Sequence, residues 1–153
     1  MTYEVATQVI ATRVRSCLFI TLPADLLPEV IDSARTVTLE SLHRGGSRVV
    51  VFELSAVQVM DREDFESLLE ITAMARLLGV RPMWVGLRPG IVMHLAEVDV
   101  DTSDIEAVRD LEEALARADA EEAAEDADGA ANADDALGGD GWGGEPHLDR
   151  SGS

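Results

Sequence analysis

Residues 48–54 form a short and nearly continuous apolar run, Arg-Val-Val-Val-Phe-Glu-Leu, which constrains the fold more than any other segment of the chain. Three consecutive valines favour a β-strand, because a branched Cβ packs well on a pleated surface. A strand with one face in water alternates apolar and polar residues, and this run does not alternate. It therefore predicts a central strand that is covered on both faces by other elements.

The segments on either side of this run have patterns typical of a sheet flanked by helices. Branched and aromatic residues predict further strands at 9–11, 17–22, 83–85 and 104–108. Apolar spacing of three and four residues, with helix caps and stops, predicts helices at 27–42, from Asp61 to Gly79, at 89–97 and from Asp110 onward. This order predicts an α/β fold with a mixed, mostly parallel sheet and about four helices.

The segment 103–108 fits two interpretations. Ser103 and Glu106 have the spacing of a capping box, which favours a helix. The branched residues Ile105 and Val108 favour a short edge strand instead. We interpret the segment as an edge strand, with the next helix beginning at Asp110.

The net charge of −18 is concentrated near the C-terminus. Residues 118–153 hold eleven acidic side chains and one basic side chain, Arg150, and are rich in Ala and Gly. Such a segment buries too little apolar surface to offset the entropy lost on ordering. We therefore predict a folded domain at 1–117 and a disordered, solubilising acidic tail at 118–153. The first few residues of the tail are expected to prolong the last helix before it frays, and Trp142 is the one residue in the tail suited to anchor on a partner.

The absence of lysine removes several classes of function. All twelve basic residues are Arg, which excludes Schiff-base lysines, phosphate-loop lysines and lysine general bases. The acidic balance also disfavours nucleic acid, which requires a basic stripe to neutralise its phosphates. No Ser-His-Asp signature is recognisable. The sequence therefore predicts no enzymatic activity and no cofactor.

The cysteine and histidine content argues against disulfide and metal chemistry. Cys17 is the only cysteine, which excludes an internal disulfide, and its apolar surroundings predict a buried, unreactive thiol. His43, His94 and His147 lie on different elements, so no metal site is predicted. The N-terminus has no signal-peptide pattern, and we expect a cytoplasmic protein.

Several motifs within this pattern resemble the STAS domain. The segment 49–57 looks like the central strand and following loop of that family, and Met60-Asp61 looks like the start of its second helix. Gly79 follows at the distance usual in the family. The motif 85–89, Val-Gly-Leu-Arg-Pro, and the closing segment 110–115 are most similar to the stressosome scaffold branch, the RsbS and RsbR type. The resemblance covers residues 7–117.

The resemblance implies a regulatory protein without catalytic residues, acting as a scaffold or antagonist in a stressosome or partner-switching pathway. Its implied partners are other STAS proteins and a switch kinase or regulator, in a homo- or hetero-oligomer. The implied contact surface is the loop after the central strand and the start of the second helix, with the residues Ser55, Val57, Met60, Asp61, Arg62, Glu63 and Asp64.

The two phosphorylatable positions of the branch fall on Arg62 and His94 in this chain. Neither side chain accepts phosphate from a Ser/Thr kinase. A phosphate at a helix N-terminus adds up to about two negative charges opposite the positive end of the helix dipole. Here residues 61–64 carry a fixed net charge of −2 instead. The resemblance therefore implies a surface that is insensitive to the kinase or imitates a modified state.

Other interpretations of the same residues stay open. An acidic first turn is also typical of a solvated, well-capped helix that binds nothing. Parallel sheets bind ligands beyond the carboxyl ends of their strands, so 55–61 and 86–90 also fit a small-ligand or nucleotide-sensing domain. Ser55, in the loop, is a more open candidate for phosphorylation than Ser67 or Thr72, which the helical pattern places in a packed helix interior.

Overall fold

The structure, a computed structural model, describes residues 8–138, with side chains for residues 8–129. The strands are β1 (Ile10–Val14), β2 (Cys17–Thr21), β3 (Val49–Glu53), β4 (Arg81–Val85) and β5 (Ala107–Val108). The helices are α1 (Pro28–His43), α2 (Arg62–Leu77), α3 (Pro89–Glu97) and α4 (Leu111–Gly138). The predictions that concern Trp142, His147 and the last part of the tail fall outside the described residues.

The five strands form one sheet in the order β1-β2-β3-β4-β5. β1 pairs antiparallel with β2, and every other neighbouring pair is parallel. β3 lies in the middle, and its residues from Val49 to Phe52 are buried. The predicted mixed, mostly parallel α/β sheet is confirmed, and so is the central strand covered on both faces.

Side chains that alternate along the strands build two separate cores. Leu18, Val50 and Trp84 belong to the core that also contains the buried residues of α1, α2 and α3. Their neighbours Phe19 and Val51 belong to the second core, which α4 completes through Ala114 and Ala118. Three helices thus cover one face of the sheet, and α4 covers the other.

The edge strand and the start of α4 follow the second interpretation of the segment 103–108. β5 is only two residues long, and it pairs with β4 at Trp84 and Val85. Asp110 then caps α4, since its carboxylate accepts a hydrogen bond from Glu113 N at 2.9 Å. The strand interpretation is confirmed in a shorter form than predicted.

The helix α4 continues well past residue 117, where we placed the end of the folded domain. Ala118, the first residue of the predicted tail, is buried against the sheet. The next turns are helical as well, and their carboxylates contact arginines that lie at, or just before, the starts of three strands. The helix thus extends into the acidic segment, as expected, but further than the few residues that we predicted, and the domain boundary at residue 117 stays a prediction.

Candidate functional site

The N-terminus of α2 is held by a reciprocal capping box. Asp61 Oδ1 accepts a hydrogen bond from Asp64 N at 2.8 Å, and Asp64 Oδ2 accepts one from Asp61 N at 3.2 Å. This pair satisfies two backbone donors that a helix start otherwise leaves unpaired. Asp61, Arg62, Glu63 and Asp64 form what we call the charged corner, of which the first three are exposed.

The side chain of Asp64 is half-buried, whereas the neighbouring Asp61 and Glu63 are exposed. Burial raises the pKa of Asp64; the hydrogen bond from Asp61 N acts against this, and the negative charges of Asp61 and Glu63 add to the rise. Arg62 is turned toward solvent and forms an exposed ion pair with Glu66, with 3.4 Å between Nε and Oε1. The corner is thus an acidic surface that favours a cationic contact.

The loop between β3 and α2 contains both buried and exposed side chains. Val57 and Met60, which we expected on the contact surface, lie in the core at 0% and 1% exposure. They anchor the loop to the core, so the expectation that these two side chains lie on the contact surface is wrong. Val59, which we did not select, is 72% exposed and is the large apolar side chain that this loop presents to solvent.

A compact hydrogen-bonded contact joins this loop to the one after β4. Glu53 accepts hydrogen bonds from both Ser55 N, at 2.9 Å, and Ser55 Oγ. Arg88 Nε donates to Ser55 O across 3.1 Å. Gly86 has φ of +81° and lies directly against Ser55, where a Cβ would come within 3.0 Å of Ser55 N. These contacts therefore fix the relative positions of the two loops that follow β3 and β4.

A groove of about 470 Å³ separates the loop from α3, and its lining residues are Gln58, Val59, Met60, Arg88, Gly90, Ile91 and His94. His94, the second position implied by the resemblance, is exposed on this wall of the groove. Met93 beside it is 65% exposed, because Ile91 and Leu95 occupy the buried face of α3. The four-residue spacing of Ile91 and Leu95 in the sequence already indicates that Met93 lies on the opposite, exposed face of the helix.

A second groove, of about 400 Å³, lies on the other side of the charged corner, between the starts of α1 and α2. Asp61, Glu63 and Asp64 line it together with Asp32 and Arg35 of α1. Arg35 pairs with Asp32 at 3.1 Å and with Glu70 at 3.6 Å. The sequence did not indicate Asp32, because only the packing of α1 against α2 brings it to the corner.

The sequence matches no family model and no curated protein. Solved structures are similar to it. A serine-to-glutamate variant of Moorella thermoacetica RsbS aligns with a TM-score of 0.63 and 20% identity, over 73% of this chain and 95% of that chain. A structure of the stressosome, described as a signal integration and transduction hub, aligns with a TM-score of 0.58 and 19% identity, over 72% and 96%.

The phosphorylated form of the Bacillus cell fate determinant SpoIIAA aligns as well, with a TM-score of 0.54 and 14% identity, over 72% of this chain and 98% of that chain. Each alignment covers nearly the whole of the other chain. The chain has the STAS fold. The fold that the resemblance implied is thereby confirmed, and the assignment of Arg62 and His94 to phosphorylation positions stays a prediction.

Three further properties of the described residues concern metal binding, the thiol of Cys17 and membrane insertion. No three His, Cys, Asp or Glu side chains come together in a metal-binding group within them. Burial raises the pKa of the Cys17 thiol to about 11, with Arg15 acting in the opposite direction, so the thiol is protonated and shielded. None of the described helices combines the length and the apolar content that crossing a bilayer requires.

Proposed function

We propose that this protein is a non-catalytic regulatory interaction domain, a scaffold or antagonist in a cytoplasmic stressosome or partner-switching pathway. The observation that carries the proposal is the charged corner, an exposed acidic helix start held rigid by the capping box of Asp61 and Asp64. Preorganised surfaces of this kind lose little entropy on binding. The similarity of the fold to RsbS and SpoIIAA supports the type of pathway.

The surroundings of the corner indicate the chemistry of the partner surface. Val59 and Met93 are exposed apolar side chains near the groove that the loop forms with α3. Interfaces combine such apolar contacts with a polar rim that sets specificity and association rate. The partner, another STAS protein or a switch kinase, presents a basic patch to Asp61 and Glu63 beside an apolar pocket for Val59.

Arg62 makes the interaction insensitive to phosphorylation in this proposal. Its guanidinium occupies the exposed first position of α2 and pairs with Glu66. The corner keeps the same charge whether or not a kinase is active. The protein then acts as a constant binding partner, and switching depends on other members of the assembly.

A charge reversal tests the contact surface. A partner is recovered by co-purification with the full-length protein from the native host, and its affinity is measured for wild type and for Glu63→Arg. We expect about ten-fold weaker binding, chiefly through slower association at low salt. Glu112→Arg is the matched control, since it makes the same change in the first turn of α4, on the other side of the sheet. Equal affinities of wild type and Glu63→Arg would reject this surface.

A second experiment tests the role of Arg62. Arg62→Ser restores a hydroxyl at the exposed start of α2, and we expect the host kinase to transfer phosphate to it, which mass spectrometry detects. The wild-type turn from 60 to 65 stays unmodified in the same reaction. Phosphate on that turn in the wild type would contradict phosphorylation insensitivity, and an Arg62→Ser variant that neither binds nor is modified would contradict the pathway.

A ligand-sensing function is the second candidate, and the groove between Gln58 and His94 is the observation that favours it. Arg88 and His94 offer polar contacts on its wall. Calorimetry with nucleotides and simple anions separates the two candidates. Binding that Arg88→Ala abolishes would support a ligand sensor. If no nucleotide or anion gives a heat of binding, the protein interaction remains as the function.

A further inference from the structure

Three arginines mark the amino ends of the three central strands. Arg15 precedes β2 by two residues, Arg48 directly precedes β3, and Arg81 is the first residue of β4. The register aligns Cys17 with Val49, and Val49 with Arg81, so these parallel strands begin at one edge of the sheet. Arg15, Arg48 and Arg81, here called the arginine row, are therefore brought side by side by the topology.

The extension of α4 lies along this row with its carboxylates. Asp119 pairs with Arg15 at 3.1 Å and Glu121 with Arg81 at 3.1 Å, and Glu125 pairs with Arg48. Glu122 also accepts a hydrogen bond from Ser16 Oγ at 3.3 Å. Residues 119–125, which we call the acidic arm, thus contact the starts of all three central strands.

Apolar burial holds α4 only as far as Ala118. Ala114 and Ala118 are fully buried against the sheet, whereas none of the side chains described beyond them is. Residues 119–129 contain six acidic residues and no basic one, several of them three or four positions apart. Like charges at that spacing destabilise an isolated helix. The described contacts that dock the arm beyond Ala118 are therefore polar, namely its ion pairs with the arginine row and the hydrogen bond from Ser16.

We propose that the acidic arm and the arginine row form an ionic latch, which closes over one edge of the sheet and opens in response to ionic conditions. Exposed ion pairs are individually weak and are screened by salt, so a contact built from three of them is reversible. Opening frees the guanidinium groups of Arg15 and Arg48 and removes one of the two partners of Arg81, which keeps its contact with Glu106. The row then becomes a docking surface for an acidic helix of a partner. In the closed protein, the acidic arm of the same chain occupies this surface.

The sign of the salt effect tests the latch. Hydrogen exchange of the full-length protein is followed by mass spectrometry as salt rises from about 0.01 M to about 1 M, which shortens the Debye length from about 30 Å to about 3 Å. We expect exchange in 119–129 to accelerate at least several-fold while exchange in α2 stays unchanged. A free-standing acidic helix behaves in the opposite way, because salt screens its self-repulsion. Unchanged or slower exchange at high salt would therefore overturn the proposal.

Swapping the charges of one ion pair tests the pairing itself. Arg48→Glu is expected to accelerate hydrogen exchange in 119–129 several-fold at low salt. Adding Glu125→Arg is expected to restore slow hydrogen exchange. Arg44→Ala is the control, since Arg44 lies near the same edge of the fold and forms no ion pair within the residues described. An equal effect of Arg44→Ala, or a double variant that exchanges as fast as Arg48→Glu, would show that the arm is not held by this row.

Discussion

Trp84 Nε1 donates a hydrogen bond to Thr72 Oγ1 across 3.1 Å, in a part of the core where both residues are 1% exposed. Thr72 Oγ1 in turn donates to Leu68 O at 2.8 Å. Phe65 packs edge-on against the indole, with 5.6 Å between ring centroids. The largest side chain of the core is thus joined to α2 by one polar and one aromatic contact.

Thr72→Val is expected to lower the free energy of unfolding by about 1–3 kcal/mol, because it leaves the buried indole N–H without an acceptor while conserving volume. Urea denaturation measures the change. Thr38→Val is the matched control, since Thr38 is equally buried and its hydroxyl has no hydrogen-bond partner among the described residues. We expect that control to be neutral or stabilising, and equal losses in the two variants would contradict the importance of the bond.

Gly86→Ala is expected to destabilise the protein more than Gly79→Ala does. The two glycines have nearly the same φ, +81° and +80°, so both variants have a left-handed backbone cost of about 1–2 kcal/mol. A Cβ at Gly79 meets nothing within 4 Å, whereas one at Gly86 meets Ser55 and Glu53. Overpacking adds about 1–3 kcal/mol at Gly86 alone. Equal thermal midpoints for the two variants would show that the two loops move apart freely.

Asp61→Ala is expected to cost about 1 kcal/mol of stability, because it removes the side-chain acceptor of Asp64 N at the start of α2. Asp61→Asn retains an acceptor oxygen, and we expect it to lose less than half as much. Chemical denaturation compares the two. If both variants lose the same amount, the negative charge of Asp61 rather than its capping bond stabilises the helix.

Glu106 links the edge of the sheet to α4 and contributes a pH dependence. Burial alone would raise its pKa, but hydrogen bonds and charge from Arg81 and Arg117 outweigh this, so the pKa of Glu106 lies below its ordinary value of 4.5. Arg81 contacts both of its carboxylate oxygens, at 2.7 Å and 2.6 Å. A lowered pKa means that the ionised form stabilises the fold above about pH 4.5 and that this contribution disappears as pH falls through the folded pKa.

Glu106→Gln is accordingly expected to be less stable than the wild type at neutral pH. The difference in unfolding free energy should shrink as the pH is lowered below 4.5, because the wild-type carboxylate then becomes neutral as well. Denaturant titrations at a series of pH values measure it. A difference that stays constant down to pH 3 would contradict the ionic role of Glu106.

The strands and the first three helices could be predicted because their signals are local. Val49–Phe52 are all apolar and do not alternate with polar residues. Pro28 is the first residue of α1, and Asp61 is the N-cap of α2. The capping box of Asp61 follows from residues three positions apart. Val57 and Met60 were misplaced because their loop turns inward, and loop residues have no periodicity that reports burial.

The sequence alone determined the α/β class, the central position of β3 and the acidic start of α2, since each depends on neighbours within a few residues. Tertiary structure decided the rest. Arg15 and Asp119 are 104 positions apart, and they meet only because parallel strands begin at one edge and α4 crosses it. The acidic residues of 119–125 repel one another in the isolated segment, and only the folded sheet brings together the arginine row that they contact.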